Sequence, residues 1–552
     1  FYIQILIQKT KCIQKIKIQK DTKVQKFKLK IQNTIKKGKF NMLSIVKSMS
    51  LNGINGYLVE VQVDIAEGIP YWEIIGLPDI SVKESKERVR TAIKNSGFKL
   101  LSRRIIVNLA PVNTRKEGPI FDLAMAIAIL INLKEISNQD LENTVFLGTL
   151  SLDGSISKIN GVLPMIIEAK KLGIKRVILP HENQKEATII EGIEIVGVKN
   201  LTQVVKYLNN QCEINYKKEP IENVWGKSAE YEIDFSDIKG QDNAKRALEI
   251  AASGGHNCIL VGSPGSGKTM LAKGLPSILP DLSFEEALEI TKIHSIAGLL
   301  HSNNPLVIKR PYRSPHHTIS PIALIGGGKN PKPGEISLAH YGVLYLDELP
   351  EFNKNTLEVL REPIEEGKIT ISRLNHTITY PSSFMFVASM NPCPCGFYGV
   401  KEKECVCSQL SINRYMNKIS GPLLDRIDIQ IEVPALQYTH ISKEEKPENS
   451  AKIRKRVNNA RKIQMERYKN DGIYSNSELT PKLIQKYCEL DGESRRILKI
   501  AFEKLGLSAR AYNRIIKVAR TIADLESSNN IKERHVAEAI QYRSLDKKYW
   551  KN

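Results

Sequence analysis

No run in the 552 residues approaches the ~20 consecutive apolar positions a membrane-spanning helix needs. The longest, FDLAMAIAILINL at 121–133, is short and carries Asp122. The chain is therefore expected to work as a soluble protein, with no membrane partner and a cytoplasmic location. A secreted disulfide framework is missing as well. Of the eight cysteines, those at 12, 212, 258 and 488 are scattered and the other four sit together, a usage that suits a reducing compartment. Residues 1–41 contain no Arg and no Ser, the two residues that mark transit peptides. They carry twelve Lys and one Asp, and so supply +11 of the net charge of +21. Met42 follows directly. Residues 1–41 are read as a translated upstream extension and not as functional sequence. The remaining charge is modest and argues only weakly for nucleic acid.

The length suits about three or four domains. Residues 42–210 alternate short strands such as GYLVEVQVDI and KRVILP with helices, which reads as an α/β domain. Residues 211–232 are polar and mixed, and read as a linker. Residues 233–433 hold the nucleotide motifs, and 434–552 turn charged and helical. An α/β core followed by a helical lid suits a nucleotide-hydrolysing machine that closes over its substrate.

The motif with the clearest chemistry is GSPGSGKT: Gly262, Ser263, Pro264, Gly265, Ser266, Gly267, Lys268 and Thr269. The apolar HNCILV precedes it and a helix-forming segment follows, the strand–loop–helix context a phosphate loop requires. Its glycines let backbone N–H groups face an anion, and the helix N-terminus adds a favourable dipole. Lys268 is placed for the β- and γ-phosphates of ATP, and the Thr269 hydroxyl for Mg²⁺.

Further on, GVLYLDELPEF offers a buried strand, Val343 to Leu346, ending in Asp347-Glu348. Asp347 suits magnesium and Glu348 suits polarisation of the attacking water. The apolar strand in YPSSFMFVASMN ends at Asn391, a candidate for orienting that water. SGPLLDRIDIQIEVP presents Arg426, expected to reach a neighbouring subunit's nucleotide and so to tie hydrolysis to assembly. In the lid, Arg510 is a candidate nucleotide sensor, with Arg514 one helical turn on as its competitor.

These stretches, with DIKGQDNAKRALEIAASGGHNCILVG, YRSPHHTISPIALIGGG and MNPCPCGFYG, resemble the magnesium-chelatase-like AAA+ ATPases and, within them, the ComM/YifB family. The resemblance runs from Met42 to about Trp550. It implies an AAA+ P-loop α/β core with a C-terminal helical lid, ATP and Mg²⁺ as ligands, a homo-hexameric ring, and branch migration on single-stranded or branched DNA as in natural transformation. A chelatase- or chaperone-type motor that remodels a protein partner is the alternative. The class also implies that the glycine-rich insert holding His316 and His317 projects toward a pore, and that the hairpin GKITISRLNHTITYP touches DNA. Its tip presents Arg373 and His376 as DNA-contact candidates. A surface hairpin without a partner is the other reading.

The N-terminal domain resembles a Lon-type (S5-like) protease domain. That chemistry needs a nucleophilic Ser and a Lys base. In EGPIFD, Ile120 stands at the serine's place, and in NGVLPM, Leu163 stands at the lysine's. Ser155 and Lys158 fall outside the motif. A non-proteolytic binding or assembly role is expected. Finally, Cys393-x-Cys395, nine residues, then Cys405-x-Cys407 offers four thiolates on one loop, either a zinc site or a set of free, redox-labile thiols.

Overall fold

The computed structural model describes residues 42–100, 103–137, 141–214, 225, 231–301, 304–328, 331–373, 376–400, 403–435, 447–545 and 549–550. The basic extension and most of the linker read from the sequence lie outside these residues. Among them, no helix is long and apolar enough to cross a membrane.

The first unit is built on strands β1 (Met42–Asn52), β2 (Asn55–Ala66), β3 (Tyr71–Ile75), β4 (Arg104–Ala110), β5 (Thr144–Phe146), β6 (Arg176–Pro180) and β7 (Glu194–Val198). They form one mixed sheet in the order β3-β4-β2-β1-β5-β6-β7. In β2 the alternation that makes a half-buried strand is plain: Val59, Val61, Val63 and Ile65 face the core. Helix α1 (Ile80–Asn95) packs on helix α2 (Asp122–Asn132), whose residues are almost all buried. A helix apolar all round has to be enclosed. Its polar residues are accordingly bonded: Asn132 donates to Ser44 Oγ and the Val63 carbonyl, and Asp122 accepts from Arg88 at 3.0 Å. Burial pushes the Asp122 carboxyl up, against the hydrogen bonds from Arg88 and Ser85.

The second unit has a five-stranded sheet, β9-β10-β13-β8-β14, every neighbouring pair parallel. Its strands are β8 (Cys258–Val261), β9 (Tyr312–Arg313), β10 (Val343–Leu346), β13 (Met385–Met390) and β14 (Ile429–Glu432). The central three are buried along their whole length, as parallel strands covered on both faces are. Between β10 and β13 the antiparallel hairpin β11 (Lys368–Arg373) and β12 (His376–Pro381) buries Ile369, Ile371 and Tyr380. The backbone sets Arg373 opposite His376 at the tip; their side chains lie outside the described residues.

Helix α3 (Val162–Lys171) of the first unit packs on helix α4 (Phe284–Ala297) of the second. Leu163, at the position a Lon-type lysine would take, joins Ile189, Ala287 and Leu306 in a small shared cluster. Buried Glu186 accepts from the Leu163 N–H and from the Ser295 hydroxyl across the junction. Ser155 Oγ bonds Asp153, and Lys158 Nζ bonds the Leu300 carbonyl. Neither is paired with the other.

The helices expected from the sequence to form a lid are α5 (Ser450–Arg467), α6 (Pro481–Tyr487), α7 (Gly492–Leu505), α8 (Ala509–Leu525) and α9 (Glu533–Gln541). Ser508 caps α8, and the buried stripe of Ala511, Ile515, Val518, Ala519 and Ile522 fixes its inward face. One buried acid ties this lid to the core sheet. Asp428, just before β14, meets Arg514 of α8 and lies 3.3 Å from His256 Nδ1, while His256 Nε2 lies 2.7 Å from Thr521 Oγ1. Burial opposes the charge of Asp428, but Arg514 and His256 outweigh it and hold the carboxyl far below the usual range. Removing one partner of a buried pair leaves the other uncompensated. Asp428→Asn is expected to lower unfolding free energy by about 3 kcal/mol in denaturant titration. Because the folded pKa is depressed, this contribution is present above about pH 4 and is lost as acidification passes through the folded value; the gap between wild type and variant should narrow below that pH.

Candidate nucleotide site

The phosphate loop leaves the end of β8 and opens the helix Lys268–Gly274. Two of its glycines have φ of 76° and 91°, at Gly265 and Gly267, conformations that L side chains rarely adopt. Gly262 is required for a different reason: a Cβ there would lie 2.2 Å from the Val433 carbonyl oxygen. Gln241 holds the loop from outside, donating to the Ser266 carbonyl at 3.1 Å and the Pro434 carbonyl at 2.7 Å.

The side chains read from the sequence as one site converge. Lys268 Nζ donates to the Gly262 and Ser263 carbonyls, both at 2.8 Å, and to Asn391 Oδ1 at 3.1 Å. Desolvation lowers the lysine's pKa, against the pull of Asp347 and Glu348. Thr269 Oγ1 donates to Asp347 Oδ2 at 3.0 Å. A hydroxyl and a carboxylate meeting at that distance are hard oxygen donors of the kind magnesium takes, so the residues fit the ion. Glu348 is exposed beside them in the left-handed region at φ 52°, and its N–H donates to Asp347 Oδ1 at 3.0 Å. Non-glycine residues held in this region are often functional.

Three contributors escape a reading by motif. Ser389 Oγ donates to Asp347 Oδ1, Tyr345 OH donates to Ser389 Oγ at 2.9 Å, and Gln241 braces the loop. Burial pushes the Tyr345 phenol up, so it remains a donor. The signal for Ser389 was available: it is a polar residue in a strand whose six positions are all buried, and such a residue requires a partner.

The arginines form a second group. Arg426 is 7% exposed; its guanidinium reaches Glu365 Oε1 and the Pro422 carbonyl, each at 2.6 Å. Arg510 is exposed, 3.5 Å from Asp425 Oδ2. Its competitor Arg514 is committed to Asp428, whereas the exposed Arg510 makes only the longer contact with Asp425. Among the described residues, neither Arg426 nor Arg510 is bonded to Lys268, Thr269, Asp347 or Asn391.

The four clustered cysteines come together on the loop that follows Asn391. Their Sγ atoms all lie within 4.8 Å of one another, with Cys393 buried and the others half-buried, and none is in a disulfide.

An outer group that hydrogen-bonds a metal-ligating carboxylate orients it, and its loss typically costs about 10–100-fold in metal affinity. Ser389→Ala frees one oxygen of Asp347. It should raise the Mg²⁺ concentration for half-maximal ATP hydrolysis about tenfold without unfolding the chain. A magnesium titration of steady-state hydrolysis checks this, and an unchanged midpoint would remove Ser389 from the site.

Known proteins match the chain along most of its length. Residues 234–441 match the model of magnesium chelatase, subunit ChlI; residues 61–183 match subunit ChlI of Mg-chelatase; and residues 447–543 match the magnesium chelatase subunit ChlI C-terminal model. Competence protein ComM of Haemophilus influenzae is 42% identical over 507 residues, covering 91% of this chain and 97% of the relative. Protein YifB of Escherichia coli is 42% identical over 504 residues with the same coverage, 91% and 97%. A partial likeness, 34% over 180 residues, links 29% of this chain to 32% of Lon protease 2 of Bacillus subtilis. With a phosphate loop, an acid pair and a polar strand end side by side on a parallel sheet, and relatives matched over nearly their whole length, the chain belongs to the ComM/YifB family of magnesium-chelatase-like AAA+ ATPases.

Proposed function

We propose that the chain is a ring-forming motor that hydrolyses ATP to move on DNA, with branch migration as its task. The observation that carries the ATPase part is the bonded set Lys268–Asn391 and Thr269–Asp347, with Glu348 alongside. Residues 262–269 would cradle the triphosphate through their N–H groups, and Lys268 would turn from the loop carbonyls to the β- and γ-phosphates. Thr269 and Asp347 would hold magnesium, which when bound neutralises charge on the phosphate oxygens. Glu348 would accept a proton from the attacking water and Asn391 would orient that water. Arg426 would act on a neighbouring subunit's nucleotide. Its pairing with Glu365 in the single chain means that this arginine has to exchange partners on assembly.

One observation supports DNA as the track: a 42%-identical relative carries the name competence protein. The hairpin β11–β12 buries Ile369, Ile371 and Tyr380 in the cluster that holds the nucleotide-bearing strands, so either a DNA or a protein track could be coupled to the sheet through it. The degenerate protease-like domain would serve assembly. Its packing on α4 uses Leu163 where a catalytic lysine would sit.

The test is ATP hydrolysis by the chain at low salt with no DNA and with single-stranded, duplex or forked DNA, using Lys268→Ala as the inactive control. Stimulation by DNA of about tenfold, falling as salt rises because phosphate contacts release counterions, is the expected result. A rate indifferent to every DNA, but raised by a protein client, would replace this reading with that of a protein-remodelling motor.

A further inference from the structure

Gly396 lies within the cysteine loop and touches the phosphate loop. A Cβ there would meet Pro264 Cδ at 2.5 Å and Cγ at 2.7 Å, so the two loops are in direct backbone-to-ring contact. The same loop begins at Asn391, which accepts from Lys268. Whatever fixes the cysteine loop therefore fixes two points of the nucleotide site.

The cysteines are arranged to be fixed by an ion. Cys393 and Cys395 Sγ are 3.3 Å apart, and each lies 3.6 Å from Cys405 Sγ. These separations exceed a disulfide bond of about 2.05 Å. They lie close to the roughly 3.8 Å edge of a sulfur tetrahedron around zinc with Zn–S of about 2.3 Å. The one-residue spacing is made workable by a tight turn. The Gly396 N–H donates to the Cys393 carbonyl at 3.0 Å, closing a turn that brings Cys395 back beside Cys393. The Tyr398 N–H then points at Cys393 Sγ at 3.3 Å, the kind of outer contact that orients and stabilises a ligating thiolate.

We propose that Cys393, Cys395, Cys405 and Cys407 bind one structural zinc ion, and that the closed loop braces Pro264 through Gly396 so that zinc occupancy sets nucleotide affinity. The second half rests on the nucleotide reading above; the first does not. Binding releases the thiol protons to solvent and leaves four thiolates on the ion. There is no change of oxidation state.

The experiment measures metal content of the purified chain by mass spectrometry, then binding of a fluorescent ATP analogue before and after zinc is removed with a mercurial and a chelator, and after zinc is restored. About one zinc per chain is expected, with affinity falling about tenfold on removal and recovering on restoration. Cys405→Ser should lose the zinc and the affinity together. Gly396→Ala keeps all four ligands but drives a methyl into Pro264, so it should retain zinc and still weaken nucleotide binding. Circular dichroism on both variants separates these effects from unfolding. A chain that holds no zinc as purified and takes up none on addition overturns the site. Full zinc with nucleotide affinity unmoved by its removal and by Gly396→Ala overturns the brace. Full zinc with no nucleotide binding at all contradicts the ATP reading and the brace with it, while supporting the metal site.

Discussion

The register of three parallel strands is what the rest of the site depends on. Val261 of β8 pairs with Met390 of β13, and Leu346 of β10 pairs with Ala388. One step beyond each strand end, Gly262 therefore stands beside Asn391, its N–H donating to the Met390 carbonyl, and Asp347 stands beside Ser389. A slip of one residue would turn every side chain to the opposite face of the sheet. Lysine would lose its asparagine, and the aspartate its serine. Strands buried on both faces cannot slip cheaply. The packing of VLYL and MFVASM thus positions the chemistry as much as the polar residues do.

The second dependency runs outward from that sheet to the lid. Asp428 sits at the start of β14, and its bonds to Arg514 and His256 join the sheet to α8. Asp425, Arg426 and Asp428 fall within four consecutive residues, yet they serve three different connections: to Arg510, to Glu365 and to Arg514. A shift of the C-terminal helices would be felt along this short segment, and through it at Arg426.

Much of this site was legible in the sequence because its signals are local. The glycine loop, the apolar strand ending in Asp347-Glu348 and the hairpin strands β11 and β12 are each set by neighbours in the chain, and each appears as an element of the structure. What could not be read is what depends on long-range pairing. Ser389 matters because it meets a carboxylate 42 positions away in sequence, and Gln241 because it bonds Pro434, 193 positions away. The different settings of Arg510 and Arg514 could not be read from helical periodicity, since both lie near the start of one helix; Arg514 is held by a buried acid on another element. The burial of Arg426 against Glu365 was likewise invisible, because Glu365 belongs to the helix that precedes the hairpin. In the first unit, Ile120 and Leu163 stand where the sequence resemblance places a protease serine and lysine. The use of Leu163 to pack against the ATPase core was not legible, since it needs helices from two units.

In the proposed mechanism Glu348 acts on water while Lys268 and the loop hold the nucleotide. The most direct measurement separates binding from turnover in Glu348→Gln, which keeps the side chain's size and removes the base. The account predicts affinity for ATP within about threefold of wild type and hydrolysis at least ~100-fold slower, the range expected for loss of a general base. Hydrolysis near the wild-type rate would contradict it, and so would loss of ATP binding in a folded variant.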